Sequence, residues 1–275
     1  MNNMATLLLK EELLERLPAI PKVVNEVWRI IDKKNIEPSK VSEIISKDIT
    51  LSAKVLKLVN SPFYGFPNRI SSIRHAVILL GLDTIKGLLI STLVFGKIND
   101  EIKDMWNHAC DCATIAGIIA KVLDIKEADE LTAAGLLHDM AKVIIKNYFP
   151  ELAKKIKIVK EKEGISEYEA EKKVLGVTHD TINRWIAEKW NFPPLLTDSI
   201  VYHHNIKASK KYTYFSAVIS LADFLSHLYR LAPDKLSLPE IDEDLCYILN
   251  LDSKTVETIF SEIDKTLYTI NWDEF

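Results

Sequence analysis

Residues 135–144 read GLLHDMAKVI, and an adjacent histidine and aspartate, His138 and Asp139, stand in the middle of this apolar run. Taken with its flanks, the run predicts a helix over roughly 127–147 that is apolar enough to be buried. A buried carboxylate costs several kcal/mol unless it is paired or bound to a metal. Asp139 therefore needs a compensating group: a partner cation, a hydrogen-bond network or a metal ion.

Outward from this run the same periodicity continues. Val23, Val27, Ile30 and Ile31 recur at helical spacing after Pro21, which suits a helix start. Residues 37–67 give two helices, with Ser39 and Asp48 as their caps and Ser61-Pro62 as the stop. Residues 71–98 give a short helix, a Gly-Leu-Asp break and a strongly apolar helix ending near Gly96. Further helices are expected at about 101–124, 150–163, 167–175, 179–190, 194–205 and 212–231, with one or two more near 240–270. No strand alternation, low-complexity tract or clean repeat is found, and only 8 of 275 residues are glycine. The fold class expected is all-α.

Composition narrows the function classes. The chain is 48% hydrophobic and 27% charged with a formal net charge of −4, so no overall basic field draws it to nucleic acid or anionic lipid. Lysine pairs such as Lys154-Lys155 and Lys172-Lys173 have acids interleaved and read as solvated helix faces. No run of about 18 apolar residues is present, so no membrane span is expected. The N-terminal stretch lacks the basic start and long apolar core of a signal peptide. Three cysteines, Cys110, Cys112 and Cys246, make no disulfide framework, which points to a reducing cytoplasm.

The seven histidines are His75, His108, His138, His179, His203, His204 and His227. Singly, each has an ordinary structural explanation. Together they form a pattern, because His138-Asp139 and Asp223 lie in apolar helices, His203-His204 end another, and His108 and His179 lie on two more. Helix bundles build metal sites from side chains of different helices, and imidazole with carboxylate suits zinc, iron or manganese. His75 and His227 fall outside the pattern and read as structural or surface residues. Trp106, Trp185 and Trp190 read as core. The aromatic turn Phe63-Tyr64-Gly65-Phe66-Pro67 reads as packing at a joint between subdomains.

The order His108, His138-Asp139, Asp223 matches the H…HD…D signature of HD-domain metal-dependent phosphohydrolases. The wider sequence resembles the HDOD family, an HD-related output domain of bacterial signalling proteins. The resemblance runs from about 11 to 231, through LPAIPKVVNEVWRIID (17–32), ISKDITLSAKVLKLVNSPFYGFPNRISSIRHAVILLGL (45–82), AAGLLHDMAKVII (133–145) and IVYHH (200–204). It implies an HD-domain-like helical core with an N-terminal helical subdomain: 11–97 for that subdomain, 98–231 for the HD-like metal-site subdomain and 232–275 for a C-terminal helical extension. The polar segment 97–104 is the expected boundary.

Many HDOD members have lost ligand positions and are regarded as regulatory modules. By comparison with the related HD-GYP phosphodiesterases, this chain keeps them. The resemblance implies one metal on His108, His138, Asp139 and Asp223, with Asp139 bridging to a second held by His179, His203 and His204. The cofactor implied is a divalent metal (Fe, Mn or Zn), dinuclear in full complement. Lys142 matches the lysine of the HDxGK pattern, where it contacts substrate phosphate, so Asp139 and Lys142 are the candidate catalytic residues. Ala141 replaces the glycine of that pattern, Asn205 replaces the acid after the double histidine, and no Gly-Tyr-Pro motif follows. The function expected is a signal-transduction module with a metal site, alternatively a metal-dependent phosphohydrolase acting on a phosphoester or nucleotide. Its expected partner is a signalling protein or a phosphorylated small ligand, with no membrane and no nucleic acid.

Overall fold

Prolines, caps and left-handed glycines set several of the helix boundaries in the computed structural model, which describes residues 2–31, 36–96, 100–231, 240–267 and 270. The chain opens with α1 (Asn2–Arg16), α2 (Lys22–Ile31), α3 (Pro38–Ser46) and α4 (Ile49–Val59). Pro38 occupies the first turn of α3, so Ser39 lies inside the helix, and Glu37, which makes no side-chain cap, precedes it. The cap expected at Ser39 is therefore displaced by the proline. Asp48 does cap α4, accepting from the Leu51 amide at 2.9 Å.

Helix α5 (Ile73–Val94) starts at Ser72, whose hydroxyl accepts from the His75 amide. Gly81 breaks it with φ 77° and ψ 175°, a conformation open to glycine and strained for any L side chain. The break falls on the Gly-Leu-Asp sequence read as one. By length and composition α5 is apolar enough to cross a membrane, but 67% of its apolar window is buried inside the protein and the kink interrupts it.

The second half runs through α6 (Asp100–Val122), α7 (Ala128–Leu137), α8 (Met140–Tyr148), α9 (Pro150–Glu163), α10 (Glu167–Leu175), α11 (His179–Lys189), α12 (Pro194–Val201) and α13 (Thr213–Leu231). A 3-10 turn, Ile206–Ala208, separates the last two, and α14 (Glu243–Leu249) and α15 (Ser253–Leu267) follow. Pro150 opens α9 and Gly164, at φ 64°, ends it. Ser166 and Glu169 form a reciprocal capping box at the start of α10. The described residues contain no strand, and the fold is all-α.

α6 is the central helix, packed against α7, α13 and α15. Its closest approach is to α7 at Gly135, where an added Cβ would stand 2.8 Å from the Ala113 Cα and 2.9 Å from the Cys112 carbonyl oxygen. Only hydrogen fits there. α5 packs on α7, joining α2, α3 and α4 to the centre, while α1 packs on α11. Phe63 and Tyr64 are buried and Tyr64 stacks on Phe66, so the aromatic turn packs as expected. Trp106, Trp185 and Trp190 are all core residues. Part of the expected 97–104 boundary, residues 97–99, and most of the connection at 231–245, residues 232–239, lie outside the described residues.

A second local expectation is overturned. The helix expected over 127–147 is two helices, and His138 and Asp139 occupy the turn between α7 and α8. The apolar spacing on either side carries straight through the turn, which hides it from periodicity.

Candidate metal centre

The break at His138-Asp139 has a chemical use. The last carbonyls of a helix lack intrahelical partners. At the end of α7 the Gly135 carbonyl accepts from His138 Nδ1 at 2.7 Å, and past the end of α12 the Ile200 carbonyl accepts from His203 Nδ1 at 2.9 Å. Each imidazole satisfies a stray carbonyl three residues back, and the bond fixes Nδ1 as the donor. His203 Nε2 is left with a lone pair.

The same device recurs with side-chain acceptors. Glu171, 1% exposed on α10, accepts from both the amide and Nδ1 of His179, at 2.8 and 2.7 Å. Ser226 donates to the Asp223 carbonyl, so its oxygen accepts from His108 Nδ1 at 3.1 Å. Four imidazoles from four segments thus have Nδ1 occupied and Nε2 turned inward. A second partner that fixes tautomer and ring orientation is the usual arrangement behind metal-bound histidine.

The inward atoms converge. His108 Nε2 lies 3.2 Å from His138 Nε2 and 3.1 Å from Asp223 Oδ1, and His138 Nε2 is 3.4 Å from that same oxygen. Asp139 faces both ways: Oδ2 is 3.6 Å from His138 Nε2, and Oδ1 is 3.4 Å from His179 Nε2. Ligands about 2.1 Å from one ion stand about 3.0–3.4 Å apart at octahedral or tetrahedral angles. Asp139 Oδ1, His179 Nε2 and His203 Nε2 are buried without any hydrogen-bond partner. Such orphaned acceptors are costly in a protein interior. The donor set, imidazole nitrogen and carboxylate oxygen, fits a divalent metal.

Among the described residues, four sets have ligand atoms within 4.8 Å of one another: His108, His138 and Asp139; His138, His203 and Asp223; His108, Asp223 and His227; and His179, Asp180, His203 and His204. All seven residues singled out as ligands in the sequence are in these sets. His203 stands between the two halves. Three residues the sequence reading passed over also border the site. His227 is not a remote surface residue, since its Nδ1 lies 3.1 Å from Asp223 Oδ1. Cys112 sits against His138. Asp180 lies next to His179, and a search for a second His-Asp pair would have found it.

Asn183, missed as well, ties the frame together. Its Oδ1 accepts from the Ala141 amide at 3.0 Å, and its Nδ2 donates to the carbonyls of His138 and Ile200. One buried amide on α11 therefore fixes the start of α8 and the ends of α7 and α12. No periodicity signals a residue with that task.

Electrostatics hold the groups in ligand form. Burial lowers His108, and burial with neighbouring His204 and His138 holds His203 well below its ordinary value. Burial and His179 bring His204 down to about 4. Burial alone would raise Asp139, but Lys142, His138 and His179 outweigh it and keep the carboxyl well below the usual range. Asp223 is likewise low, because contacts from His108, His138 and His227 overcome its burial. His138 runs the other way: burial alone would lower it, and the Cys112 sulfur, Asp139 and Asp223 hold it well above the usual value. One proton on His138 also relieves the two lone pairs that otherwise face each other at 3.2 Å.

Lys142 Nζ contacts Asp139 Oδ2 at 2.7 Å. Both residues, with His108 and His227, line a cavity of about 780 Å³ bordered by α6, α8, α9, α10 and α13, whose walls carry lysines (Lys146, Lys154, Lys157) and acids (Glu151, Glu161, Glu167) together. A second cavity, about 620 Å³, reaches His203 and His204 from the side of residues 240–245.

An all-helical scaffold with an HD pair at a helix break, converging with histidines from neighbouring helices, defines an HD-type core. The family model for the HDOD domain matches residues 17–206, and the chain belongs to the HDOD family. An HDOD domain protein of Geobacter sulfurreducens is 25% identical and superposes with a TM-score of 0.69, covering 96% of this chain and 95% of that one. A "Putative phosphohydrolase" of Shewanella amazonensis SB2B is 25% identical with a TM-score of 0.70, covering 94% and 97%. An uncharacterised protein of Treponema pallidum (strain Nichols) is 26% identical over 260 residues, which is 91% of this chain and 50% of that protein. The chain thus spans half the length of that relative. Asp223 and His227 lie beyond the matched residues of the family model; geometry ties both to the site, and for His227 it is the one tie.

Proposed function

We propose that the protein is an HDOD signalling module whose HD-like core holds divalent metal, with two ions of iron, manganese or zinc as its full complement. One observation carries this reading: four imidazoles are locked through Nδ1 and turn Nε2 onto two low-pKa carboxylates, leaving buried acceptors without partners. His108, His138, Asp139 and Asp223 would hold one ion. The other oxygen of Asp139, with His179, His203 and His204, would hold the second. Divalent metal bound here supplies Lewis acidity and lowers the pKa of a bound water.

Phosphoester hydrolysis is the second reading, and Lys142 favours it. Its ammonium pairs with Asp139 Oδ2 and borders the larger cavity, whose walls carry charges of both signs. Once Asp139 is engaged elsewhere, that charge is available to bind and orient a phosphate oxygen. The Shewanella neighbour described as a "Putative phosphohydrolase" points the same way. Without a Gly-Tyr-Pro segment after His204, cyclic-di-GMP is not the substrate proposed. The input is a signalling protein or a phosphorylated small ligand. Three free cysteines fit a cytoplasmic setting.

The test is metal analysis of the protein purified without added metal and without oxygen, beside Asp139→Ala. About two equivalents in the parent, lost in the variant, support the centre and justify a screen of phosphomonoesters and phosphodiesters. No uptake by the parent, even on reconstitution, would sink it and leave the HD pair as a hydrogen-bonded relic.

A further inference from the structure

We propose that Asp180 is a ligand of the second ion and that Tyr168 aims it. The inference rests on the metal reading above and adds a ligand that the HD signature does not contain.

Asp180 follows His179 at the start of α11 and is 8% exposed. Its Oδ2 accepts from the Tyr168 hydroxyl at 3.0 Å. Its Oδ1 has no partner and lies 3.3 Å from His179 Nε2, which also has none. In its neutral form, with Nδ1 donating to Glu171, His179 presents a lone pair at Nε2. Two buried acceptors therefore face each other at contact distance, an arrangement that repels until a cation stands between them.

An acid in the first turn of a helix has a ready structural explanation in the helix dipole. That explanation does not require burial, and it leaves no reason for an oxygen without a partner. Tyr168 adds the independent sign. From α10 it holds one carboxylate oxygen, and its ring lies edge-on to His179 and His204, with centroids 5.7 and 5.2 Å away. The free oxygen is thereby turned toward His179, and one carboxylate oxygen of Asp180 groups with ligand atoms of His179, His203 and His204, all within 4.8 Å of one another.

Charge gives the arrangement a purpose. The residue after the double histidine is the neutral Asn205. Without Asp180, the second half-site has three imidazoles and only the shared carboxylate of Asp139. Asp180 gives it a carboxylate of its own, which favours manganese or iron over an all-nitrogen set.

The experiment is anaerobic equilibrium dialysis of the full chain, stripped with chelator, against Mn²⁺, with thermal unfolding of stripped and loaded forms. The parent binds two ions. Asp180→Ala retains one at parental affinity and weakens the other by at least about 100-fold, and Tyr168→Phe weakens the same ion about 10-fold. Asp180→Asn keeps the shape and removes the charge, so its stripped form melts at or above the parental temperature while its metal-induced gain shrinks. Two ions bound at parental affinity by Asp180→Ala would overturn the proposal. So would a stripped Asp180→Asn that melts lower with its metal-induced gain intact, the mark of a purely structural aspartate. A parent that takes up none of Mn²⁺, Fe²⁺ and Zn²⁺ overturns the metal reading itself, a result told apart by the parent alone.

Discussion

Glu171 holds His179 twice, one carboxylate oxygen accepting both its backbone amide and its Nδ1. The carboxylate raises the basicity of Nε2 and fixes the ring from α10, across the turn at Gly176. Glu171→Gln retains an acceptor and loses the charge. It is expected to fold normally and bind the second ion about 10-fold more weakly, by metal titration. Glu171→Ala leaves two donors buried without an acceptor and is expected to cost about 2–3 kcal/mol in urea unfolding. Unchanged affinity in Glu171→Gln would mean that His179 is not a ligand.

Asn183 serves three chain ends at once, and no substitute reproduces its one acceptor and two donor bonds. Asn183→Ala strands the Ala141 amide and the His138 and Ile200 carbonyls, at an expected cost of about 2–3 kcal/mol. Asn183→Asp retains the acceptor but cannot donate, and it buries a new charge, so it is expected to be at least as damaging. Chemical denaturation of both variants checks the ranking. An Asp variant as stable as the parent would show that the two carbonyls do not depend on this side chain.

Gly135 joins packing to chemistry, since α6 rests on it and its carbonyl orients His138. A methyl group there meets backbone atoms, which cannot move aside as a side chain tip does. Gly135→Ala is expected to lose about 1–3 kcal/mol and to weaken metal binding through displacement of His138. Gly164→Ala offers a contrast, because a Cβ there meets nothing within 4 Å and only the φ of 64° opposes it. A Gly135→Ala protein with parental stability and metal uptake would refute the close approach.

Helical periodicity, prolines and caps made nearly every helix legible, because burying one face of a helix leaves a 3.6-residue rhythm. The turn at 138–139 was not legible, since Leu136, Leu137, Met140 and Ala141 stay apolar through it. Ligand residues were visible through unusual chemistry in apolar surroundings, as with His138-Asp139 and Asp223. Their supporters were not: Asn183, Glu171 and Ser226 are ordinary helix residues, and only tertiary contact makes them buried acceptors and donors. His227 follows Asp223 by one helical turn, a spacing that places it on the same face.

The histidines set a pH dependence with two limbs in the metal-free protein. His108, His203 and His204 have folded pKa values below the ordinary 6.5, His204 at about 4. Below pH 6.5 the unfolded chain takes up protons at these residues and the folded one does not, so stability falls as pH falls toward 4. Asp139 and Asp223, both depressed, add to the loss below about pH 4. His138 has the opposite sign, and so does His227, which its contact with Asp223 raises. Their folded values lie above 6.5, that of His138 well above, so their contribution is complete below 6.5 and is lost as pH rises through those folded values. The melting temperature of the stripped protein is therefore expected to peak near pH 6.5 and to decline on both sides. With metal bound, His138 no longer holds a proton, so the alkaline decline should shrink to the share of His227, while the acid decline steepens as protons compete with the ion. Melting curves from pH 4.5 to 9, with and without Mn²⁺, decide the matter. A stripped protein whose stability keeps rising above pH 6.5 would place no proton between His108 and His138.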